Sequence, residues 1–299
     1  MDHDDTTPDA GTVAGAGRVA EIGWESAELD ARRVLWSLAP DDRERRLLRA
    51  DARARRWGPA EPVRARLRAF VDGATRSVGL AHVRGLLDPE EPEAEVTAAL
   101  SFLLSDFGEI VPQNGRGDLT QVLSDQDGDG NTELGFHCDT CDLLVLFCLR
   151  PAFHGGGATK LASARHVHDL IARERPDALA TLAEDWTFDR TGRAGPQVVV
   201  SPILFAQKDG TVGCYYQTRT VRSSPDRGGP PLTDRQWEAL GVLDEVLYRP
   251  EIAFGLPMAA GDLLIIRNSR VLHGRSPYVD EPGPNARRML RIWMNTEAS

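Results

Sequence analysis

The spacing of apolar residues divides the chain into a helical part and a β-rich part. From about residue 26 to 73 the apolar positions recur at helical spacing, with a break near Trp57. Segment 78–86 alternates like a strand before a turn at Asp88, and segment 93–105 fits a helix. The first third of the chain is therefore predicted to be mainly helical.

From about residue 110 onward, short β-rich runs are separated by Gly, Pro and Asp. Helices are predicted only near 163–183 and 233–248. This mixture favours an α+β fold, in which a β-sandwich or barrel core carries helical flanks.

Four runs are expected to be strands of this core. VVVSPILFAQ and TVGCYYQTRTV meet around Asp209-Gly210, and this predicts a hairpin because Asp-Gly tolerates the positive φ of a tight turn. LLIIRNSRVL (263–272) and MLRIWMN (289–295) are predicted to be the closing strands.

The chain shows no internal repeat and no sharp linker, so a single catalytic domain is predicted. The acidic, small-residue start lacks the features of a secretory signal and is interpreted as a disordered leader on a cytoplasmic protein. The expected organisation is a leader (1–20) and one domain (21–299), made of a helical N-terminal part (21–106) and a core (107–299).

Charge and composition narrow the partners. A formal charge of −10 argues against nonspecific nucleic-acid binding, and no apolar run reaches the ~20 residues that cross a bilayer. The arginine-rich segment 43–69 is interpreted as solvated helix faces rather than an RNA or lipid patch. A small-molecule substrate is therefore expected, without nucleic acid or membrane; a homo-oligomer stays open.

The four cysteines are expected to be free thiols, because the chain has no export signal. Cys138 and Cys141 form a CxxC, but no second pair at zinc spacing accompanies them. Zinc or redox use is therefore not favoured.

The strand-like run ELGFHCD places an imidazole beside a carboxylate. Side chains alternate along a strand, so Glu133, His137 and Asp139 point to one face. An HxD pair supplies two ligands for a divalent first-row metal, and a distant His completes a 2-His-1-carboxylate face with open positions for reactants. His273 is the best third ligand.

The surroundings of His273 add to this weak motif. A strand is expected to run from Gly261 through Asn268 to His273, and Arg287 follows fourteen residues later on a strand shared with Arg291. A dicarboxylate co-substrate that chelates a metal at one end needs a fixed cation at the other, and arginine offers a charge-assisted fork. In GGGAT, Thr159 can add a hydroxyl next to glycines that permit close approach.

Four stretches then resemble the TauD/TfdA family of Fe(II)/2-oxoglutarate dioxygenases, which includes taurine dioxygenase and relatives of clavaminate synthase. They are LGFHCD, GGATKLAS, GDLLIIRNSRVLHGRSPY and RRMLRIWMN. The resemblance implies a double-stranded β-helix (jelly roll) that binds iron and 2-oxoglutarate through two different groups of residues. The iron ligands would be His137, Asp139 and His273, and the 2-oxoglutarate residues Thr159 and Arg287, with Arg288 as a one-residue-slip alternative to Arg287.

The same resemblance implies the activity. With O2, 2-oxoglutarate would be decarboxylated to succinate and CO2 while a small polar metabolite is oxidised. Related halogenases carry a small residue in place of the acid, so Asp139 favours hydroxylation. Desaturation, cyclisation and epimerisation stay open.

Two further residues are candidate substrate ligands. Arg291 shares a strand face with Arg287, and its counterpart in taurine dioxygenase meets the substrate's anionic group; a buried bridging arginine is the alternative. Glu133 shares a face with the iron ligands and can receive a substrate amine or orient a ligand His. Both roles together predict an amino acid or a derivative as substrate.

Two rival functions remain at this point. One is a non-catalytic metal- or ligand-binding β-helix protein. The other is a calcium-responsive interaction protein built on the acidic loop from Asp125 to Gly130, which lacks the bidentate acid at position twelve because Phe136 stands there.

Overall fold

A computed structural model provides the structure, and it describes residues 21–124, 131–193, 195–280, 283 and 285–296. The leader predicted for 1–20 and the acidic loop from Asp125 to Gly130 lie outside the described residues. The prediction of helices and sheets in one α+β chain is confirmed.

The helices of the described residues cluster in the first third and around the middle of the chain. Their bounds are α1 (Ser26–Ala31), α2 (Asp42–Ala54), α3 (Glu61–Ser77), α4 (Glu93–Leu104), α5 (Ala164–Glu174), α6 (Pro176–Leu182), α7 (Thr218–Ser223) and α8 (Asp234–Leu247).

Local sequence explains where these helices begin. At α2 the Asp41 side chain accepts from the Glu44 N–H at 2.8 Å, and the Glu44 carboxylate accepts from the Asp41 N–H at 2.9 Å. Thr233 and Gln236 form the same reciprocal pair at α8. Such capping boxes satisfy N–H groups that the first helical turn leaves without partners.

The strands are β1 (Ser37–Leu38), β2 (Leu80–Val83), β3 (Glu109–Val111), β4 (Thr120–Leu123), β5 (Leu134–His137), β6 (Leu143–Arg150), β7 (Thr159–Ser163), β8 (Trp186–Asp189), β9 (Val198–Ser201), β10 (Leu204–Ala206), β11 (Val212–Cys214), β12 (Phe254–Leu256), β13 (Leu263–Arg267), β14 (Val271–Arg275) and β15 (Arg288–Asn295).

Two larger antiparallel sheets carry the fold. The seven-stranded sheet has the order β1-β2-β13-β6-β15-β3, with β4 also paired to β15 and only β1–β2 parallel. The four-stranded sheet has the order β12-β7-β14-β5. β8–β9 and β10–β11 form two separate two-stranded pairs. The N-terminal part is therefore not purely helical, because β1 and β2 extend the larger sheet.

Two apolar clusters hold the layers together. The first joins the N-terminal helices to the seven-stranded sheet and includes Leu48, Leu100 and Ile265. The second packs α5 and α8 against the four-stranded sheet and includes Leu243 and Leu272. Burying these side chains is the main stabilising term for the fold.

The prediction of one strand over 263–272 is wrong. The run folds into β13 and β14, which belong to different sheets and are joined by a turn at 268–270. The Arg270 N–H donates to the Arg267 carbonyl at 2.9 Å in this turn. Because both strands are buried, their apolar residues read as a single run.

The predicted hairpin is confirmed at its centre and wrong at its ends. β10 pairs with β11, and Gly210 in the connection has φ of +84°. However, β9 pairs with β8 instead, and the end of TVGCYYQTRTV enters α7. Among the described residues, no helix combines the length and the apolar character needed to span a membrane.

Candidate metal centre

Strand register brings the two predicted histidine ligands together. His137 ends β5 and lies opposite His273 of β14. Residues opposite each other in antiparallel strands project to the same face, and the ring centroids are 4.3 Å apart. The two imidazoles therefore meet although 136 positions separate them in the sequence.

Asp139 completes the group from a loop rather than from the strand. Its Oδ1 lies 3.9 Å from His137 Nε2, and its Oδ2 lies 3.8 Å from His273 Nε2. The ligand atoms of these three residues all lie within 4.8 Å of one another. Among the described residues they form the one His/Cys/Asp/Glu group suited to a metal ion.

Asn268 fixes the loop that carries Asp139. Its Oδ1 accepts from the Asp139 N–H at 2.9 Å, and its Nδ2 donates to the Cys141 carbonyl at 3.1 Å. Asn268 belongs to the turn between β13 and β14, so the turn that links the two sheets also holds the metal-site loop. The apolar pattern placed Asn268 within a strand, so its bonds to the Asp139 loop were not predicted.

The protonation states fit a divalent cation. His137 Nδ1 lies 3.0 Å from the Gly135 carbonyl; donation to this acceptor leaves the Nε2 lone pair for a metal. Burial, then the charge of His137, lower the pKa of His273 to about 3, so its imidazole is neutral. Two imidazoles and one carboxylate are the donor set of a 2-His-1-carboxylate iron centre.

Burial alone would raise the pKa of Asp139, but Arg291 and the two imidazoles outweigh it and lower the pKa to about 2. Arg291 Nη1 lies 3.6 Å from Asp139 Oδ2. Trp293 Nε1 donates to the same oxygen at 2.9 Å. The carboxylate is thus ionised and oriented without a metal.

Trp293 is a second residue that sequence analysis missed. It lies two positions after Arg291 on β15, so strand alternation gave a signal that could have found it. Arg291 is itself held by Gln113 Oε1 at 2.8 Å and Gln121 Oε1 at 2.6 Å. These contacts match the alternative of a bridging arginine, while the substrate role of Arg291 stays a prediction.

The two candidate co-substrate residues are both buried. Arg287 is 5% exposed and Thr159 is 4% exposed. Arg287 lies 5.3 Å from the Tyr278 ring centroid, and Arg275, which faces Thr159 across β14 and β7, lies 4.7 Å from the same ring. Burial, then the charge of Arg275, lower the pKa of Arg287. Two cations beside one buried ring make this region attractive to an anion.

The glycines before Thr159 make room for Arg287. A Cβ added to Gly157 would lie 3.1 Å from Arg287 Nε, and Gly157 has φ of +66°. A side chain there would be strained and would crowd the guanidinium. Gly157 therefore permits the close approach expected of these glycines, and the group that approaches it is the Arg287 side chain.

Arg288 and Glu133 have other partners. Arg288 Nη2 donates to Glu93 Oε2 at 2.5 Å, away from the buried setting of Arg287. Glu133 forms an ion pair with Lys160, whose ammonium lies 4.1 Å from the Tyr248 ring centroid. A substrate amine at Glu133 would have to replace Lys160; the substrate role of Glu133 stays a prediction.

The cysteine prediction is confirmed. Cys138, Cys141, Cys148 and Cys214 are all free thiols. Burial raises the pKa of Cys148 to about 12, and burial also raises the pKa of Cys141. These thiols are therefore protonated and poor metal ligands at neutral pH.

Comparisons with known proteins identify relatives of this chain. FR-33289 synthase of Streptomyces rubellomurinus is 28% identical over 248 residues, which cover 76% of this chain and 72% of that protein. Uridine-5'-phosphate dioxygenase of a Streptomyces species is 30% identical over 164 residues, or 50% of this chain and 57% of that protein. The chain thus spans little more than half of the second relative.

Among solved structures, an asparagine oxygenase in complex with Fe(II), 2S,3S-3-hydroxyasparagine and succinate shares the fold. The TM-score is 0.68 at 19% identity, and the match covers 87% of this chain and 94% of that one. The family model of the taurine catabolism dioxygenases TauD and TfdA matches residues 58–293, a stretch that contains every candidate site residue. The chain therefore belongs to the TauD/TfdA family of dioxygenases.

Proposed function

We propose that this chain is an Fe(II)/2-oxoglutarate-dependent oxygenase that hydroxylates a small polar metabolite and releases succinate and CO2. One observation carries the proposal: His137, Asp139 and His273 converge, with an ionised acid at Asp139 and a neutral imidazole at His273. A sequence relative is a dioxygenase, and a solved oxygenase complex that contains Fe(II) and succinate shares the fold.

The two larger antiparallel sheets are, in this proposal, the two halves of a double-stranded β-helix. The connection at 268–270 leads from β13 in one sheet to β14 in the other, and the loop 138–142 leads from β5 to β6. Chain crossings of this kind enclose an inner space between sheets. We also propose that residues 21–299 form one catalytic domain, because the larger sheet includes strands of both its parts.

His137, Asp139 and His273 would hold the iron. With O2 and 2-oxoglutarate bound, the iron centre supplies the oxidising chemistry that splits the keto acid and hydroxylates the substrate. Trp293 and Asn268 keep the carboxylate and its loop in place, while Arg291 keeps the carboxylate ionised. These three residues therefore act through Asp139.

Thr159 and Arg287 would bind 2-oxoglutarate. The Arg287 guanidinium is buried beside Arg275, so an incoming carboxylate relieves the repulsion between two cations. Among the described residues, the hydrogen bond of the Thr159 hydroxyl goes to Met258 Sδ at 3.8 Å, and such a weak bond is readily exchanged for one to a carboxylate. Arg288 is not chosen because Glu93 already neutralises it.

The substrate proposed is an amino acid or a derivative, with Arg291 at its acid group and Glu133 at its amine. Arg291 uses Nε and Nη2 for its bonds to Gln113 and Gln121, so Nη1 can turn to a substrate anion once Asp139 binds a metal. The asparagine oxygenase, which shares the fold, is described with a hydroxylated amino acid. The cytoplasm is proposed as location because four free thiols are typical of reducing compartments.

Spectroscopy and product analysis test this proposal. Fe(II) and 2-oxoglutarate are added without O2, and a weak visible charge-transfer band is expected for the wild type and not for His273→Ala. Admitting O2 with a metabolite panel should then release succinate. A band without succinate release for any metabolite would support the rival reading, a non-catalytic metal-binding protein; absence of the band would exclude the iron proposal.

A further inference from the structure

A segment next to β5 carries two buried polar atoms that no contact explains. Gln217 forms an isolated bridge opposite His137, and the Cys138 N–H donates to the Tyr216 carbonyl at 2.6 Å. Residues 215–217 therefore extend the four-stranded sheet beyond β5. By the alternation of a strand, Tyr215 and Gln217 lie on the same face as His137.

Both side chains end in an atom without a hydrogen-bond partner among the described residues. These atoms are the Tyr215 hydroxyl and Gln217 Oε1, and both are fully buried. Gln217 is 4% exposed and its Nε2 donates to the Cys138 carbonyl at 2.8 Å, so its oxygen is left as the acceptor. Seven other buried side-chain atoms of the described residues also lack a hydrogen-bond partner, but these two oxygens lie on the face of His137 and are therefore available to a ligand at the metal-binding group.

The location separates these residues from the co-substrate region. On one side of His137 lies His273, followed by β7 with Thr159. On the other side lies Gln217. A ligand over Tyr215 and Gln217 thus approaches the centre from the flank opposite to Thr159. If Thr159 binds the co-substrate, this flank is the one left for the molecule to be oxidised.

The surroundings of Tyr215 contain charges of both signs, Arg190 on one hand and Asp139 and Asp142 on the other. A cavity of about 360 Å³ is lined by Asp139, Thr140, Arg190 and Tyr215, among others. Arg190 Nη2 donates to Thr140 Oγ1 at 2.9 Å. Burial raises the pKa of Tyr215, Arg190 and Arg193 oppose the rise, and Asp139 adds to it, so the phenol stays protonated. Once a metal ion neutralises Asp139, the two arginines are the charges that favour an anion beside this O–H donor.

We propose that Tyr215 and Gln217 form a substrate subsite for an anionic group that carries, or lies next to, a hydrogen-bond donor. Tyr215 donates to the anion, and Gln217 Oε1 accepts from the adjacent O–H or N–H. Carboxylate, phosphate and phosphonate share this chemistry. The inference rests on the proposed function and narrows its substrate to one with an acid group beyond any that Arg291 holds.

Inorganic phosphate serves as the first probe, with the enzyme loaded with Fe(II) and 2-oxoglutarate and kept free of O2. A paramagnetic ion relaxes only nuclei close to it, so the 31P signal should broaden with Fe(II) and not with Zn(II). Tyr215→Phe should weaken phosphate binding about tenfold, because a hydrogen bond to an anion is lost. Gln217→Glu should abolish the broadening by adding a negative charge.

Tyr248→Phe is the matched control, since Tyr248 is 47% exposed and packs on Phe136. Its phosphate affinity should equal that of the wild type. [1-13C]Acetate is then used in place of phosphate to distinguish the acid classes. The probe whose signal broadens at the lower concentration shows whether the subsite prefers a carboxylate or a phosphate.

Wild-type enzyme without broadening for either probe would overturn the subsite, as would equal affinities in wild type and Tyr215→Phe. The second result would mean that the anion binds the iron directly. The visible band is recorded in each sample. If the band is present and the broadening absent, the subsite alone fails; if the band itself is missing, the proposed function fails.

Discussion

Arginines in two regions of this protein have opposite environments. On the N-terminal helices they form ion pairs with acids at the surface, such as Arg53 with Glu91 at 2.7 Å and Arg66 with Glu44 at 2.6 Å. Near the metal centre, Arg287 is buried against an aromatic ring beside another arginine, and Arg291 shares a single buried carboxylate with two imidazoles.

The difference separates exposed, paired charges from buried charges that we propose serve binding. Exposed ion pairs contribute little to stability, because water and salt screen them. A buried guanidinium without a full counter-charge costs stability, and burial indeed lowers the pKa of Arg287. Such a residue is best explained by an anion that binds beside it. The surface pairs also support the reading of 43–69 as solvated helix faces.

The largest effect is expected for His273→Ala. Loss of one of three iron ligands should lower succinate release by on the order of 1000-fold or more, because metal assistance is worth several kcal/mol. Stability of the metal-free protein should change little in comparison, since His273 Nδ1 is buried without a partner among the described residues. Succinate assays and thermal unfolding of the metal-free protein measure the two quantities. Full activity in this variant would remove His273 from the centre.

Arg287 and Arg288 are adjacent in the sequence and can be compared by their effect on 2-oxoglutarate binding. Arg287→Gln should raise the KM for 2-oxoglutarate by about 10- to 100-fold, because a charge-assisted bond to a carboxylate is lost. Arg288→Gln should leave this KM within about twofold, because Glu93 holds that side chain near the surface. Steady-state kinetics at saturating substrate measure both. The reverse result would transfer the co-substrate role to Arg288.

Trp293→Phe tests the orientation of the acid. The variant keeps an aromatic ring but loses the 2.9 Å bond to Asp139 Oδ2. Bonds to a metal ligand of this kind typically affect metal affinity about 10- to 100-fold, and a loss of about tenfold in Fe(II) affinity is expected. Titration of the visible band with Fe(II) at fixed 2-oxoglutarate measures it. Unchanged affinity would mean that Arg291 alone holds the carboxylate.

The metal ligands could be predicted from sequence, whereas the residues that position them could not. His137 and Asp139 are two residues apart, and a local motif needs only strand alternation to be read. The clamp by Asn268 depends on a turn that brings β13 and β14 into different sheets, and the apolar run over 263–272 hides that turn. Contacts made by such long-range crossings leave no local pattern.

The same limit explains Gln217. It lies 80 positions from His137 in the sequence, within a run that alternates like the rest of a hairpin strand. Only the bridge between the two residues reveals a shared face. By contrast, α4, the helical region over α5 and α6, and α8 were predicted well, since their signals are local periodicity and caps.

Asp262 is a buried charge outside the metal centre. It tests whether a buried charge in this protein can serve stability instead of binding. Its carboxylate accepts from the Gly85 and Ala259 N–H groups, both at 2.9 Å, and lies 3.1 Å from His82 Nε2. Asp262→Asn should lower the free energy of unfolding at pH 7 by about 2 kcal/mol, as expected for bonds to a charged group, with little change in Fe(II) affinity.

The pH dependence of this loss has a definite sign. Burial opposes ionisation of Asp262, but the bonds from His82, Gly85 and Ala259 outweigh it and lower its pKa below 3.8. Its stabilising effect is therefore present above the unfolded pKa and lost as pH falls through the folded value. The difference between wild type and variant in urea unfolding should shrink below about pH 4. A difference that stays constant down to pH 2.5 would contradict this assignment.

The smallest effect is expected at the helical surface. Arg53 is 66% exposed and its partner Glu91 is 21% exposed, so Arg53→Gln should lower the free energy of unfolding by less than about 1 kcal/mol. The loss should shrink further in 1 M NaCl, because salt screens exposed pairs. Urea unfolding at low and high salt measures it, with Glu91→Gln and the double variant to isolate the pair. A coupling of several kcal/mol that salt does not weaken would show that surface and buried arginines in this protein obey the same energetics.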